Sequence, residues 1–446
     1  MSELEARIAA WRDRMVLPGA AAFAAWRAAF APWFAEGEQI RSAWQDAPAE
    51  QSWSLRLIQA EGLLLGVRAY AQDFFHLLSP PDPRPVRIED LIDAAQAVFA
   101  DLGFDPDQIA MDAPLPLGQK SGVDLFQGIL LSGLLEDPVL AARLMRDMRR
   151  PKSVSEDLLA DFQRSDRLDL GAVLLERNGP TGLITFTIPD SLNSEDDALL
   201  EAFETAVDLV LLHPEIRTGV LRGGVMTHPK YRDRRVFCSG INLTKLLKGQ
   251  ISYLYFITRE FGVLNKIYRG MAMGPSDDLG GVAYEKPWIG VVDGHAIGGG
   301  VQMLLILDHV IAEQDAFLAV PARTEGFIPG LANLRLPRLV GARQAHQIVE
   351  LGLRVVPTDP LGQSLVDVAV PTEQVEAALS AAIDRYQDSG AAGVIANRRA
   401  FRLAEEPEEL FRAYMAQFCL EQARCLYDPS SAAHLNRVWT QRTKGL

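Results

Sequence analysis

Three consecutive glycines, Gly298-Gly299-Gly300, stand between an apolar run, Trp288–Val292, and a second apolar stretch, Val301–Ala312. Lacking Cβ atoms, such a turn lets backbone come close to a ligand. Read as strand, turn and helix, it also offers unpaired amide N–H groups at the positive end of a helix dipole. Groups of that kind stabilise negative charge developing on an oxygen atom. The spacing is not G-x-G-x-x-G and no Walker lysine follows, which argues against a nucleotide loop. The alternative is a tight turn needed only for packing. A second loop, Phe237-Cys238-Ser239-Gly240-Ile241-Asn242-Leu243, follows a basic, turn-rich segment containing His228, Lys230 and Tyr231.

With Leu192-Asn193 before these loops and Gly326-Phe327-Ile328-Pro329-Gly330 after them, the set resembles the crotonase (enoyl-CoA hydratase/isomerase) superfamily. The resemblance implies an α/β fold with a crotonase-like ββα spiral core and an acyl-CoA substrate. It implies an oxyanion hole for the thioester oxygen built from the N–H groups of Ile241 and Gly299. Their neighbours Ser239, Gly240, Asn242, Gly298 and Gly300 then belong to the binding loops. His228, Lys230 and Tyr231 stand where the superfamily places CoA's adenine and phosphates; for Lys230 a plain solvated loop is the alternative. A homotrimer or homohexamer is also implied.

Two departures narrow the chemistry. Where hydratases carry a glutamate three residues after the oxyanion glycine, this chain has Gln302; about six residues before the I-P-G turn it has Ala322. An amide has no useful proton affinity near neutral pH and alanine has none, so ordinary hydration is disfavoured. Glu325 either substitutes for a lost acid or forms a structural ion pair. Together with a long helical N-terminal part and Arg259-Glu260, these features resemble the cofactor-independent arylacetyl-CoA dioxygenases of the superfamily, which act on 3,5-dihydroxyphenylacetyl-CoA. That branch implies conversion of an arylacetyl-CoA and dioxygen to an arylglyoxylate and free CoA, with no metal or flavin. An enolate conjugated to an electron-rich ring is a competent partner for dioxygen.

The same resemblance suggests individual roles. Glu195 would bind a ring hydroxyl, or else only complement a helix dipole. Gln302 would contact a second hydroxyl or the thioester, or only fill a vacated pocket. Arg259 would stabilise an enolate or peroxide anion, or form a surface pair with Glu260. Phe327 and Ile328 would wall an apolar dioxygen pocket, or simply be core. Cys238 reads as a small buried hydrophobe. No general base is evident. A CoA-ester isomerase, hydratase or thioesterase, or an inactive assembly protein of the same fold, are the rival readings.

Seven scattered histidines form no H-E-x-x-H pair or facial triad, and Asp293-x-His295 reads as a turn rather than half an iron site. A net charge of −14 disfavours nucleic acid as a partner. No apolar run is long enough to span a bilayer, and the first residues carry no secretory leader pattern. Three cysteines suggest a reducing compartment, hence a cytoplasmic location.

The positioning elements follow from periodicity. Residues 1–165 read as helical, with a buried face at Leu57, Ala60, Leu64, Val67, Ala71 and Phe74. A proline-rich stop spans 79–83, and Asp124–Met148 reads as a further helix ending in the basic, solvated run Arg146–Lys152. Residues 166–371 hold the crotonase core. Strands are expected at Leu183–Ile188, Gly219–Gly223 and Trp288–Val292, with a helix capped at Ser194 between the first two. Residues 372–446 read as a helical oligomerisation segment.

Overall fold

The computed structural model describes residues 3–44, 49–80, 84–274 and 284–443, so the leader reading at Met1 and Ser2 and most of the proline-rich stop fall outside the described residues. From Glu3 to Ser165 the described chain is helical, and strands begin at Arg167. They are β1 (Arg167–Asp169), β2 (Val173–Asn178), β3 (Thr181–Phe186), β4 (Thr218–Gly223), β5 (Trp288–Val292), β6 (His295–Ile297), β7 (His309–Glu313), β8 (Phe317–Ala319) and β9 (Val368–Val370). Among the described residues the main sheet has the order β1-β2-β3-β4-β5-β7-β9, and β6 pairs with β8 in a second, two-stranded sheet.

The first three strands form an antiparallel meander; from β3 onward the pairs are parallel. Parallel strands are covered on both faces, which is why β5 is apolar and buried throughout. The helix Asp197–Leu212 carries the chain from β3 to β4, which pair from Thr181↔Thr218 to Phe186↔Gly223. Its cap is Asp196, whose carboxylate accepts the Leu199 N–H at 2.9 Å, and not the expected Ser194. The helix cannot begin earlier because Glu195 is already extended: its N–H bonds Gly240 O at 2.7 Å and its carbonyl accepts the Asn242 N–H at 2.8 Å.

The stretch Val301–Ala312 is also not one helix. The helix is Gly299–Leu304, and the chain then turns and re-enters the sheet as β7 beside β5. Asp308 makes the turn, its N–H bonding Trp288 O at 3.0 Å and its carboxylate taking the Trp288 N–H at 2.8 Å. Similar punctuation divides two N-terminal runs, at Tyr70 and at Asp137, the latter capping Pro138–Met148 with proline at its first position. Nor is the basic run a solvated face throughout. Arg149 is buried and donates to Gly270 O at 3.3 Å, and Lys152 pairs with Glu201.

From Thr372 to Thr443 the described chain is helical apart from short turns, and the helix Glu408–Tyr427 packs along Leu125–Glu136. The approach is close: a Cβ at Gly128 would stand 2.7 Å from Cys419 O, and the Tyr253 hydroxyl donates to that carbonyl at 2.6 Å. N-terminal and C-terminal helices thus share one core, which includes Phe30, Phe126, Leu131, Phe411 and Met415. A second core, with Ile184, Leu221, Trp288 and Val292, lies under the sheet. No single helix among the described residues is long and apolar enough to cross a membrane.

Candidate active site

The two glycine-bearing turns meet. Cys238 bridges to Ala296 of β6, with the Ile297 N–H donating to Cys238 O at 2.9 Å, so the Phe237–Leu243 loop runs alongside the strand that feeds the glycines. Gly240 has φ +75°, and a Cβ there would stand 2.8 Å from Ile297 O and 3.4 Å from Gly299 N. Only glycine fits between the turns. Glu195 and Ile241 form a parallel bridge that uses the N–H of Glu195 and of Asn242, which turns the Ile241 N–H to the opposite side. Gly299 is the first residue of its helix, so its N–H has no partner within it. Neither amide has an acceptor among the described residues.

Beneath these amides lies a buried polar wall centred on Arg259. Its Nε donates to Glu195 Oε2 at 2.7 Å and its Nη2 to Glu195 Oε1 at 3.4 Å and Gly299 O at 2.9 Å. Its Nη1 donates to Gln302 Oε1 at 2.8 Å and Glu260 Oε1 at 3.1 Å. Those contacts use all five guanidinium N–H groups. The pair Arg259–Glu260 is therefore not a surface pair: the two residues are 4% and 1% exposed. A π-helical turn, Glu260–Leu264, starts directly after Arg259. Such widened turns are frequent at functional sites.

Burial disfavours the Arg259 charge, but the Glu195 and Glu260 carboxylates outweigh it and the guanidinium is held more firmly protonated than usual. Burial pushes the Glu260 carboxyl up, against the pull of Arg259 and Arg335. The Cys238 thiol rises well above its ordinary range through burial and then the Glu195 charge, which keeps it neutral and unreactive.

These groups border a cavity of about 40 Å³, whose lining includes Glu195, Ile241, Arg259, Glu260, Gly298, Gly299 and Gln302. Phe256, Glu325, Phe327, Ile328 and Phe418 also line it. Its volume suits a molecule of one or two heavy atoms; a benzene-sized cavity is about 150 Å³. Phe327 packs edge-on to Phe256 at 5.7 Å, and the Ile328 N–H is held by Gln422 Oε1 at 3.1 Å. The Tyr414 hydroxyl donates to Gly330 O at 2.6 Å. Helix Glu408–Tyr427 thus supplies part of the wall.

The remaining expected residues do not line this cavity. Ser239 Oγ bonds His295 Nε2 at 2.8 Å, and Asn242 caps Leu243–Leu247 by accepting the Lys245 N–H at 3.0 Å. Gly300 is a packing glycine, where a Cβ would stand 3.0 Å from Cys238. His228 accepts the Lys230 N–H at 3.3 Å, and Lys230 Nζ lies 5.5 Å over the Tyr231 ring. Tyr231 in turn meets His295 at 5.3 Å, which stacks on Phe317 beneath Arg354. Asp293 is engaged by Arg222 at 2.8 and 2.9 Å. Among the described residues no group of three or more His, Cys, Asp or Glu is arranged to hold a metal ion. Sequence reasoning gave Glu260 no role beyond pairing with Arg259 and missed Phe256, Phe418 and Gln422; no local motif distinguishes them from core.

The family model for enoyl-CoA hydratase/isomerase matches residues 176–417, more than half of the chain. The chain belongs to the enoyl-CoA hydratase/isomerase family. Within that family it is 41% identical over 362 residues to the (3,5-dihydroxyphenyl)acetyl-CoA 1,2-dioxygenase of Amycolatopsis orientalis, covering 81% of this chain and 82% of that protein. It is 26% identical over 203 residues to a probable mitochondrial enoyl-CoA hydratase of Dictyostelium discoideum, covering 45% of this chain and 64% of that protein. An enoyl-CoA hydratase structure from Mycobacterium avium subsp. paratuberculosis matches with TM-score 0.50 and 22% identity, covering 61% of this chain and 97% of that one. The enoyl-CoA hydratase/isomerase fold is therefore that of the strand-bearing part, to which the N-terminal helices are added.

Proposed function

We propose that this chain is a cofactor-independent dioxygenase that converts 3,5-dihydroxyphenylacetyl-CoA, or a close arylacetyl-CoA, and dioxygen to the arylglyoxylate and free CoA. The observation that carries the reading is the pair of unclaimed amides, Ile241 and Gly299, set over a buried Glu195–Arg259–Gln302 wall in a chain 41% identical to a dioxygenase of that substrate. The amides hold the thioester oxygen, so that removal of an α-proton leaves an enolate rather than a free carbanion; one such donor is worth about 3–4 kcal/mol of barrier. Gln302 supplies no proton for water addition, which turns the enolate away from hydratase chemistry.

Arg259 acts through others. With every N–H engaged, it fixes Glu195 and Gln302 and keeps the cavity positive beside a developing anion. Glu195 accepts a ring hydroxyl once the substrate opens the cavity, and Gln302 contacts the second hydroxyl or the thioester. Phe327 and Ile328 give dioxygen an apolar wall. His228, Lys230 and Tyr231, with Ser239, lie on the CoA side. We assign residues 1–165 to a helical N-terminal domain, 166–371 to the catalytic core, and 372–446 to a C-terminal segment that serves assembly into trimers or hexamers as well as the site wall. The cytoplasm is the matching compartment.

The deciding experiment incubates the purified protein with 3,5-dihydroxyphenylacetyl-CoA under labelled dioxygen, before and after exhaustive chelation. Two label atoms in the product and unchanged turnover after chelation are expected. Thioester turnover that continues unchanged without dioxygen refutes the reading in favour of hydrolysis or hydration.

A further inference from the structure

We infer that Glu260 is the general base that takes the α-proton of the bound thioester, an inference that rests on the enolate chemistry proposed above. Enolate formation requires an acceptor beside the oxyanion amides, and the cavity offers few. Gln302 is an amide. Tyr255 lines the cavity, but burial and then the Glu195 charge push its hydroxyl well above its ordinary range, so it carries its own proton. Glu195 is gripped by Arg259 through both oxygens, Oε2 and Oε1, and its remaining lone pairs are assigned above to the ring hydroxyl. Glu325 is only half-buried, within reach of solvent that would compete for the proton.

Glu260 differs from all of these. It lines the same cavity and is 1% exposed. Its Oε1 shares Arg259 Nη1 with Gln302 Oε1, so the carboxyl stands beside the Gln302 amide, one helical turn from Gly299. A side chain at Gly330 would strike both of those oxygens, and the glycine of the I-P-G turn is what leaves room above them. Its second oxygen, Oε2, is buried and ion-paired with Arg335 Nη1 at 3.6 Å, so Oε1, beside Gln302 and Gly330, is the oxygen on the cavity side. A carboxylate oxygen that accepts one N–H keeps a second lone pair, and with Arg259 and Arg335 fixing the carboxylate, that of Oε1 is placed to take a proton beside Gln302. Burial also strengthens it as a base, against the pull of Arg259 and Arg335.

In the step, the Cα–H bond breaks, its electron pair moves onto the thioester oxygen held by Ile241 and Gly299, and the proton passes to Glu260. No oxidant is consumed; dioxygen meets the enolate afterwards. The network Arg335–Glu406 behind Glu260, with contacts of 3.0 and 3.1 Å, holds the base from the far side.

The test separates proton removal from oxygen chemistry. Enzyme and 3,5-dihydroxyphenylacetyl-CoA are incubated anaerobically in D₂O and α-hydrogen exchange is followed by NMR. Glu260→Gln, which keeps the Arg259 contact, should slow exchange by about 10²-fold or more, with thioester affinity by calorimetry changed less than about threefold. Glu260→Asp should recover part of the rate and displace the acidic limb of its pH profile. Exchange by Glu260→Gln within about threefold of the parent overturns the inference. If that variant does not fold, an unmoved acidic limb in Glu260→Asp overturns it equally. A parent enzyme that fails to exchange at all refutes the enolate reading itself, and this inference with it.

Discussion

Replacing Gly299 with alanine tests the centre of the site. A Cβ at 299 would overlap Glu195 Oε1 outright and would stand 2.8 Å from Glu195 Cδ and 3.0 Å from Arg259 Nη2. Carbon atoms in contact sit about 3.5–4.0 Å apart, so the carboxylate must retreat by about 1 Å. It cannot do so while both its oxygens remain on Arg259, itself locked to Glu260, Gln302 and Gly299 O. A misplacement of about 1 Å costs on the order of 10²-fold in rate. Any tilt of the Gly299 amide adds part of the 10²–10³-fold expected for a lost oxyanion donor. We therefore expect kcat/KM to fall by about 10³-fold, or about 4 kcal/mol. Oxygen uptake at an electrode, together with titration of released CoA thiol, measures it; far-ultraviolet circular dichroism verifies the fold. Gly299→Ala with parental turnover would show that neither the amide nor the placement of Glu195 matters, and the oxyanion assignment would fall.

Three further outcomes are expected. Arg259→Lys keeps the charge but not the five-donor fork, so turnover should drop about 10²-fold while urea denaturation shows a loss of about 1–3 kcal/mol; an active, equally stable variant would contradict the network. Glu406 is 0% exposed and, although burial opposes it, Arg335, Arg269 and Arg338 draw its carboxyl down to about 2. A depressed carboxyl stabilises above its unfolded pKa of about 4.3 and loses this as pH falls toward 2, so Glu406→Gln should cost about 3 kcal/mol at pH 7 and progressively less through that window. Burial, with Arg354 and Lys230, lowers His295 to about 4. Its contribution is present above the unfolded pKa of about 6.5 and disappears as pH falls from there to 4; His295→Gln should flatten chemical-denaturation stability over that range, and an unchanged slope would refute it.

Parts of this site were legible without coordinates because backbone amides need little to announce them. A glycine that must lie against another turn, as Gly240 does against Ile297, tolerates no substitute, and a strand followed by three glycines has few uses. Hydrophobic patterning likewise revealed β3, β4 and β5, clearest in the all-apolar β5, because a strand covered on both faces is rich in apolar residues. Local reading failed where a tertiary partner overrode propensity. Ser194 lost the cap to Asp196 because Glu195 pairs with the loop around Ile241, and Val301–Ala312 divided because Asp308 anchors to Trp288.

The sequence by itself determined the α/β class, the two glycine-bearing turns and the absence of hydratase carboxylates at positions 302 and 322, because each is carried by residue types at short spacing. The tertiary structure alone decided that Arg259 spends every donor on protein, that Glu260 stands beside Gln302, and that the C-terminal helix completes the wall with Phe418 and holds Ile328 through Gln422. The physical reason is distance along the chain. Ion pairs and cavity walls join residues tens to hundreds of positions apart, and their energies depend on burial and contact geometry that only packing sets.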